Sequence, residues 1–226
     1  MEDGIGMDQA KEILLAAALP HVPFDGWSAA TLAAAVTDSR LDGRLALALF
    51  PRGGVDLAVA YHKAGDARMA EALAAEDLNA LRFRDRIARA VLLRLEGADK
   101  ELVRRGSALF ALPQHAAEGA ALIWGTADAV WKALGDRSAD LNWYTKRATL
   151  SAVYGATVLF WLADTSEGNA ETRAFLDRRI EGVMRFEKAK AGFRENPVGK
   201  ALLAGPLRLL DAIRAPGDTS GLPGHQ

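Results

Sequence analysis

Residues 21–57 read HVPFDGWSAATLAAAVTDSRLDGRLALALFPRGGVDL, a run broken at short intervals by turn-forming residues. Ser28 is a favourable N-cap for a helix. A second short helix over 41–49 ends where Pro51 and a glycine pair follow. Short helices joined by tight turns predict a helix-turn-helix-like three-helix unit over residues 7–55.

Apolar residues recur every three or four positions through the rest of the chain, which predicts helices throughout. The predicted helices cover residues 7–22, 29–36, 41–49, 56–76, 78–96, 100–112, 116–134, 141–164, 170–194 and 197–214. The predicted fold class is all-α. A larger helical domain is expected over 56–195, an amphipathic helix within 196–215 and a disordered tail over 216–226.

Composition excludes several classes of site. The 226 residues are 50% hydrophobic and 25% charged, as in a packed globular protein, and there is no cysteine for a disulfide, a zinc–thiolate site or a cysteine nucleophile. The net charge of −1 gives no overall attraction for nucleic acid. The acidic N-terminus predicts neither a signal peptide nor a transit peptide.

Catalytic motifs are equally scarce. None of the four histidines has a glutamate three or four positions before it, so no metal ligands are predicted. Neither a glycine-rich phosphate loop nor a G-x-S-x-G elbow occurs. We therefore predict no catalytic residues and a protein that is not an enzyme.

The first sixty residues resemble the N-terminal part of TetR-family regulators, through the joint Asp25-Gly26-Trp27 and the segment Leu49–Leu57. Between Asp8 and Lys63, however, five basic residues face six acidic ones, and the predicted recognition helix carries Asp42 in its middle. A helix that reads DNA must approach a polyanion. We predict no nucleic-acid binding, and a TetR-type regulator with a lipid ligand is the alternative function.

Large apolar side chains are concentrated in the middle of the chain, with four tryptophans within forty residues. The helix predicted over 150–162 is more apolar than one neighbouring helix would cover, which fits a lipid tunnel or an ordinary core helix. The residues expected to bind lipid are Phe110, Trp124, Tyr154, Val158, Trp161 and Leu162.

Trp143 and Tyr144 differ from the other aromatic residues because charged residues flank them at the start of a predicted helix. Aromatic side chains within a charged rim are typical of a protein–protein hot spot. A hydrophobic staple at the helix start is the simpler interpretation.

The last predicted helix is amphipathic. At 100° per residue its apolar residues share one arc, and they form the expected membrane-binding set: Val198, Leu202, Leu203, Leu209, Leu210 and Ile213. From Arg178 to Arg214 nine basic residues outnumber four acidic ones. An apolar stripe with basic edges predicts a helix at a membrane surface, with docking on the body or on a second subunit as the alternative.

The segment ADAVWKALGDRSADLNWYTKR, residues 127–147, resembles the signature of the ninth family of ubiquinone (coenzyme Q) biosynthesis proteins. HVPFDGW at 21–27, Leu-Pro at 112–113 and FLDRRI at 175–180 resemble the same family. The resemblance covers roughly residues 8–190.

The resemblance implies a TetR-like fold without DNA binding, a bound lipid or isoprenoid quinone intermediate, and no other cofactor. It also implies a C-terminal membrane-binding helix and a partner, the di-iron hydroxylase of the pathway. The implied partner-binding residues are Asp128, Val130, Trp131, Asp140, Trp143, Tyr144 and Arg147.

The implied location is peripheral: the cytoplasmic face of the inner (plasma) membrane in a bacterium, or the matrix side of the mitochondrial inner membrane in a eukaryote. A homodimer is expected, because TetR-like folds commonly dimerise through their last helices.

Overall fold

The computed structural model describes residues 6–195, with side-chain burial described through residue 186. Helices account for all the regular structure within this range, so the all-α prediction is confirmed. Ten α-helices are joined by short turns, with one 3-10 turn at Glu167–Asn169. The α-helices are α1 Met7–Ala18, α2 Val22–Asp25, α3 Ala29–Ser39, α4 Gly43–Leu49, α5 Gly54–Ala74, α6 Phe83–Glu96, α7 Lys100–Phe110, α8 Ala116–Ala133, α9 Leu141–Ala163 and α10 Ala170–Glu195.

Short polar side chains begin four of these helices. Ser28 accepts a hydrogen bond from the Thr31 amide (3.3 Å), and Asp99 and Asp140 cap α7 and α9 in the same way. Such bonds satisfy amides that have no partner within the helix. Asp42 caps α4 through the Arg44 amide (2.6 Å), so it lies at the start of that helix and not in its middle as predicted.

The helix predicted over 7–22 is divided in the structure. The first piece, α1, ends at Ala18, and the short α2 begins at Val22 with Pro23 in its first turn. Proline has no amide proton to continue a preceding helix but is tolerated at the start of a new one. Gly26 ends α2 with a φ of 66°, which glycine adopts without steric cost.

Two hydrophobic cores lie along the molecule, and α5 runs through both. The first core joins α1, α3, α4 and the start of α5 with Leu102 of α7. The second joins the end of α5 to α6, α8, α9 and α10 around Trp131, Leu150 and Leu176. Because Leu102 packs in the first core, that core is built from two separate parts of the chain.

The predicted membrane-binding set, from Val198 to Ile213, lies outside the described residues. Within residues 6–195 no helix combines the length and the apolar character needed to cross a bilayer.

Candidate functional site

A cavity of about 390 Å³ lies where the two cores meet. Helices α5, α7, α8 and α9 supply most of its wall, and apolar side chains dominate the lining: Leu102, Val103, Phe110, Leu122, Ile123 and Val158. Gly119 brings α8 close to α7, since a Cβ atom there would lie 2.7 Å from the Phe110 Cβ. The site is thus an apolar space held between closely packed helices.

One end of the cavity is open and the other is closed. At the open end, the mouth, Leu159 is 66% exposed and Ala111, Ala116 and Ala120 are also exposed. At the closed end, Tyr61 and Tyr154 are buried. An apolar ligand would therefore enter past α8 and α9 and be enclosed towards α5.

The closed end carries five polar side chains from four helices, His62, Asp66, Arg94, Thr126 and Tyr154, which we term the polar floor. Arg94 Nε donates to Asp66 Oδ1 (2.7 Å), and Arg94 Nη2 donates to the His62 carbonyl (3.0 Å). The Thr126 hydroxyl donates to Asp66 Oδ1 (3.0 Å), and His62 Nε2 lies 2.8 Å from that hydroxyl. His62, Asp66, Arg94 and Thr126 form one continuous network, and Tyr154 lies near Thr126 and Arg94.

Gly65 makes room for the guanidinium in this network. A Cβ atom at Gly65 would lie 2.5 Å from Arg94 Cζ, whereas Arg94 itself is only 4% exposed. Burial lowers the pKa of His62 from 6.5 and raises the pKa of Tyr154 from 10.0. Both side chains are therefore uncharged at neutral pH.

Half of the predicted lipid-binding set lines the cavity. Phe110, Tyr154 and Val158 do so. Trp161 and Leu162 lie further along α9 and pack with the second core, where the Lys100 Nζ lies 5.4 Å from the Trp161 ring centroid. Trp124 is on α8 but packs against Trp143 (ring centroids 5.9 Å apart). These three residues do not line this cavity, because it extends along only part of α9 and meets one face of α8.

Sequence reasoning missed the polar residues of this site. His62 was considered only with glutamate before it, the spacing of metal ligands, whereas its neighbour in the structure is Asp66, four positions after it. That i,i+4 pair on an otherwise apolar helix face was the available signal. Arg94 gave none, since its burial depends on Gly65 of another helix.

A second cluster of charged and aromatic residues lies at the junction of α8 and α9, and we term it the α8–α9 junction. Its centre is Arg147, which is only 2% exposed. Arg147 Nε donates to Asp128 Oδ1 (2.6 Å), and Nη1 donates to Asp136 Oδ2 (3.2 Å). Lys146 Nζ also donates to Asp136 (2.7 Å). Two cations and two carboxylates thus join α8 to the start of α9.

Aromatic rings cover this ion-pair network. The Arg147 guanidinium lies 4.1 Å from the centroid of the Trp143 ring, a cation–π contact. Tyr144 packs edge-on against Trp143 (4.8 Å between ring centroids). Both rings are half-buried, so each presents part of its surface to solvent.

The predicted partner-binding set is divided between the inside and the surface. Val130, Trp131 and Arg147 are buried, so their side chains are not accessible to a partner in this structure. The segment 127–147 spans two helices and a turn, and one face of each helix must pack on the core. Asp128, Trp143 and Tyr144 are half-buried and Asp140 is exposed, which leaves these four accessible.

Comparisons with known proteins support a family assignment. Residues 116–187 match the family model described as COQ9. Ubiquinone biosynthesis protein COQ9, mitochondrial, from Rattus norvegicus is 30% identical over 90% of this chain and 67% of its own length. The Drosophila melanogaster protein of the same name is 30% identical over 80% of this chain, and the Homo sapiens protein is 29% identical over 90%. The chain spans 57%, 67% and 66% of the fly, rat and human proteins, respectively.

A solved structure shows a similar fold. The TetR transcriptional regulator from Nitrosomonas europaea superimposes with a TM-score of 0.62 at 20% identity, covering 76% of this chain and 96% of the regulator. The TetR-like fold is therefore confirmed. Together with the rat relative and the matched family model, these observations show that the chain belongs to the COQ9 family of ubiquinone biosynthesis proteins.

Proposed function

We propose that this protein is a non-catalytic, lipid-binding accessory protein that holds an isoprenoid quinone intermediate and presents it to the di-iron hydroxylase of ubiquinone biosynthesis. One observation carries the proposal: a chain of this family has an apolar cavity with an apolar mouth and a polar closed end. Such a space suits an amphiphile, a molecule with an apolar tail and a polar head.

The physical need for such a protein is the low solubility of an isoprenoid tail. Exposing each CH₂ group of the tail to water costs about 0.8 kcal/mol of free energy. The cavity, at about 390 Å³, is at the lower end of the roughly 300–1,000 Å³ range of small-molecule pockets. It encloses a head group and the first part of a tail, and the remainder of a long tail would leave past Leu159.

Lipid extraction tests the proposal directly. We expect purified full-length protein to release a lipid on denaturation, identified by mass spectrometry. Ala120→Trp places an indole at the cavity mouth and should reduce the bound lipid severalfold. Ala121→Trp is the matched control, because Ala121 is exposed on the same helix but does not line the cavity. Equal lipid content in both variants, or none in the wild type, would contradict the proposal.

The α8–α9 junction is the proposed docking surface for the hydroxylase. Half-buried aromatic rings held over a charged network resemble the centre of a protein interface. Tyr144→Lys should abolish co-purification of the hydroxylase while the far-ultraviolet circular dichroism is unchanged. Ala48→Lys, an exposed alanine on α4, is the control. Unchanged capture by Tyr144→Lys would exclude this surface.

Membrane docking by residues 196–215 and the homodimer stay predictions. Replacing Leu202 and Leu209 with glutamate in the full chain should reduce flotation with liposomes, because it places charge on the predicted apolar stripe. Sedimentation equilibrium measures the oligomeric state.

The alternative function is that of a transcription regulator. The TetR-like fold supports this function, but the surface of α4 does not. The exposed positions of α4 include Leu47, which is 60% exposed, and only one cation, Arg44. DNA binding depends on several cations near phosphates. We expect no gel shift with the protein's own upstream DNA at low salt.

A further inference from the structure

A second apolar space lies between α6, α9 and α10, and we term it the α10 groove. Its volume is about 300 Å³, and it shares no lining residue with the cavity where the two cores meet. Apolar side chains supply most of its wall: Ile87, Trp131, Leu150, Val153, Ile180 and Val183. The α10 groove is therefore a separate site on the larger helical domain.

Large apolar side chains stand exposed on both rims of the α10 groove. Phe83 of α6 is 51% exposed, and Met184 of α10 is 54% exposed. One exposed apolar residue is ordinary, but two that flank an apolar groove form a patch typical of a surface that another element covers. Lys146 lines the groove and also belongs to the α8–α9 junction, so the groove adjoins the proposed docking surface for the hydroxylase.

The chain itself supplies a segment that fits this groove. Helix α10 ends at Glu195, and the sequence predicts an amphipathic helix over residues 197–214. The joint between them is short, since Pro197 is suited to the first turn of a new helix. Short joints are typical of helices that pack side by side in opposite directions. The predicted helix is therefore expected to return along α10.

The length of the segment brings its apolar residues to the groove. Val183 lies twelve residues before the end of α10, so an antiparallel helix that starts at Pro197 is level with Val183 twelve residues later, at Leu209. Leu210 belongs to the same apolar stripe. With that stripe against the groove, the charged side chains of the opposite face remain in water: Lys200, Arg208 and Asp211.

The covalent connection favours this segment over a second copy or a different protein as the occupant. A segment joined to its site by a short connection has an effective concentration of about a millimolar, which exceeds that of most partners in solution. The segment therefore reaches the α10 groove before a free partner does.

We propose that residues 197–214 dock in the α10 groove when the protein is in water, and that they leave it when the same apolar stripe binds a membrane. The stripe cannot occupy both places, so the two states exclude each other. Membrane contact then uncovers the groove beside the proposed docking surface. The exchange rests on the membrane docking proposed above, whereas docking in the groove does not.

Paired cysteines test the docking, because the chain has no cysteine of its own. Phe83→Cys and Leu209→Cys are combined in the full chain, which is oxidised without vesicles and separated on a non-reducing gel. We expect a disulfide within one chain, because the two positions face each other across the groove. Addition of vesicles of phosphatidylcholine and phosphatidylglycerol before oxidation should reduce its yield severalfold.

The matched control combines Leu209→Cys with Leu47→Cys, which lies on α4 and is equally accessible, and it should give no such disulfide. Absence of the disulfide in the Phe83 pair, equal yields in both pairs, or disulfides only between two chains would overturn the docking. If Phe83→Cys does not fold, Met184→Cys on the opposite rim replaces it.

Competition between groove and membrane gives a second measurement. A segment that is docked for nine-tenths of the time binds a membrane about tenfold more weakly than a free one. Met184→Glu places a charge on the groove rim and should strengthen flotation with the same vesicles severalfold, whereas Leu47→Glu should leave it unchanged. Unchanged or weaker flotation of Met184→Glu would overturn the exchange. Absence of flotation in the wild type would contradict the membrane docking, and the disulfide would still decide the groove.

Discussion

The polar floor and the α8–α9 junction both contain a buried arginine paired with aspartate, yet they have different surroundings. Arg94 lies beside a cavity, and Gly65 on the neighbouring helix makes room for its guanidinium. Arg147 has carboxylates and an aromatic ring around it and lines no described cavity. The comparison shows that a buried ion pair can support a ligand site in one place and fix a surface in another.

The largest effect is expected from breaking the junction. Arg147→Met removes the buried cation that Asp136 and Asp128 share, and it leaves each carboxylate only a more exposed lysine, Lys146 for Asp136 and Lys132 for Asp128. Removing one partner of a buried ion pair costs about 3–5 kcal/mol. We expect the free energy of unfolding, measured with urea, to fall by that amount.

The matched control is Arg82→Met. Arg82 is 76% exposed and pairs with Asp85 on the surface, and such pairs contribute at most about 1 kcal/mol. Equal losses in the two variants would mean that Arg147 contributes no more than a surface cation.

Gly65→Ala should break the polar floor. The added methyl would displace the Arg94 guanidinium from Asp66 and from the His62 carbonyl, at a cost of about 2–3 kcal/mol. Gly125→Ala has open space on α8 and should instead stabilise the fold by about 0.4–1 kcal/mol. Thermal denaturation of the two variants measures whether each substitution raises or lowers the stability of the fold. A stabilised Gly65→Ala variant would show that the Arg94 guanidinium moves aside freely.

Acid should destabilise the α8–α9 junction by a smaller free energy than these substitutions do. Burial opposes ionisation of Asp136, but hydrogen bonds from Lys146, Ser138 and Arg147 outweigh it and lower the pKa of this carboxyl from 3.8 to about 2. A carboxyl with a lowered pKa in the folded state stabilises the fold above its unfolded pKa. That stabilisation, about 2 kcal/mol, is lost as the pH falls from about 4 towards 2.

The difference in unfolding free energy between wild type and Asp136→Asn measures this effect. It should be largest at pH 5 and above and should shrink towards pH 2. A difference that does not change with pH would mean that Asp136 acts by packing and not by its charge.

Much of the fold followed from local sequence patterns. Ser28, Asp99 and Asp140 cap helices because a side-chain oxygen can satisfy an amide two or three residues later, which needs no tertiary contact. The helix predicted over 78–96 begins instead at Phe83, after a turn. Periodicity locates a helix well and its ends poorly.

The candidate site was predicted less completely, and the residues explain why. Tyr154 and Val158 line the cavity, whereas Trp161 and Leu162 on the same helix do not, because the cavity ends between them. A hydrophobic stripe shows which face of a helix is buried, but it does not distinguish a face that meets another helix from one that meets an empty space.

The sequence by itself determined the helices, the Ser28 cap and the family, because each depends on residues close together in the chain or on a recognisable run such as 127–147. Only the tertiary structure decided that His62 meets Thr126, 64 residues away, and that Arg94 meets Asp66, 28 residues away. It also decided that Arg147 is inside and Tyr144 is not. The physical reason is that burial and charge pairing depend on which helices pack together. The sequence of one helix does not specify which other helices pack against it.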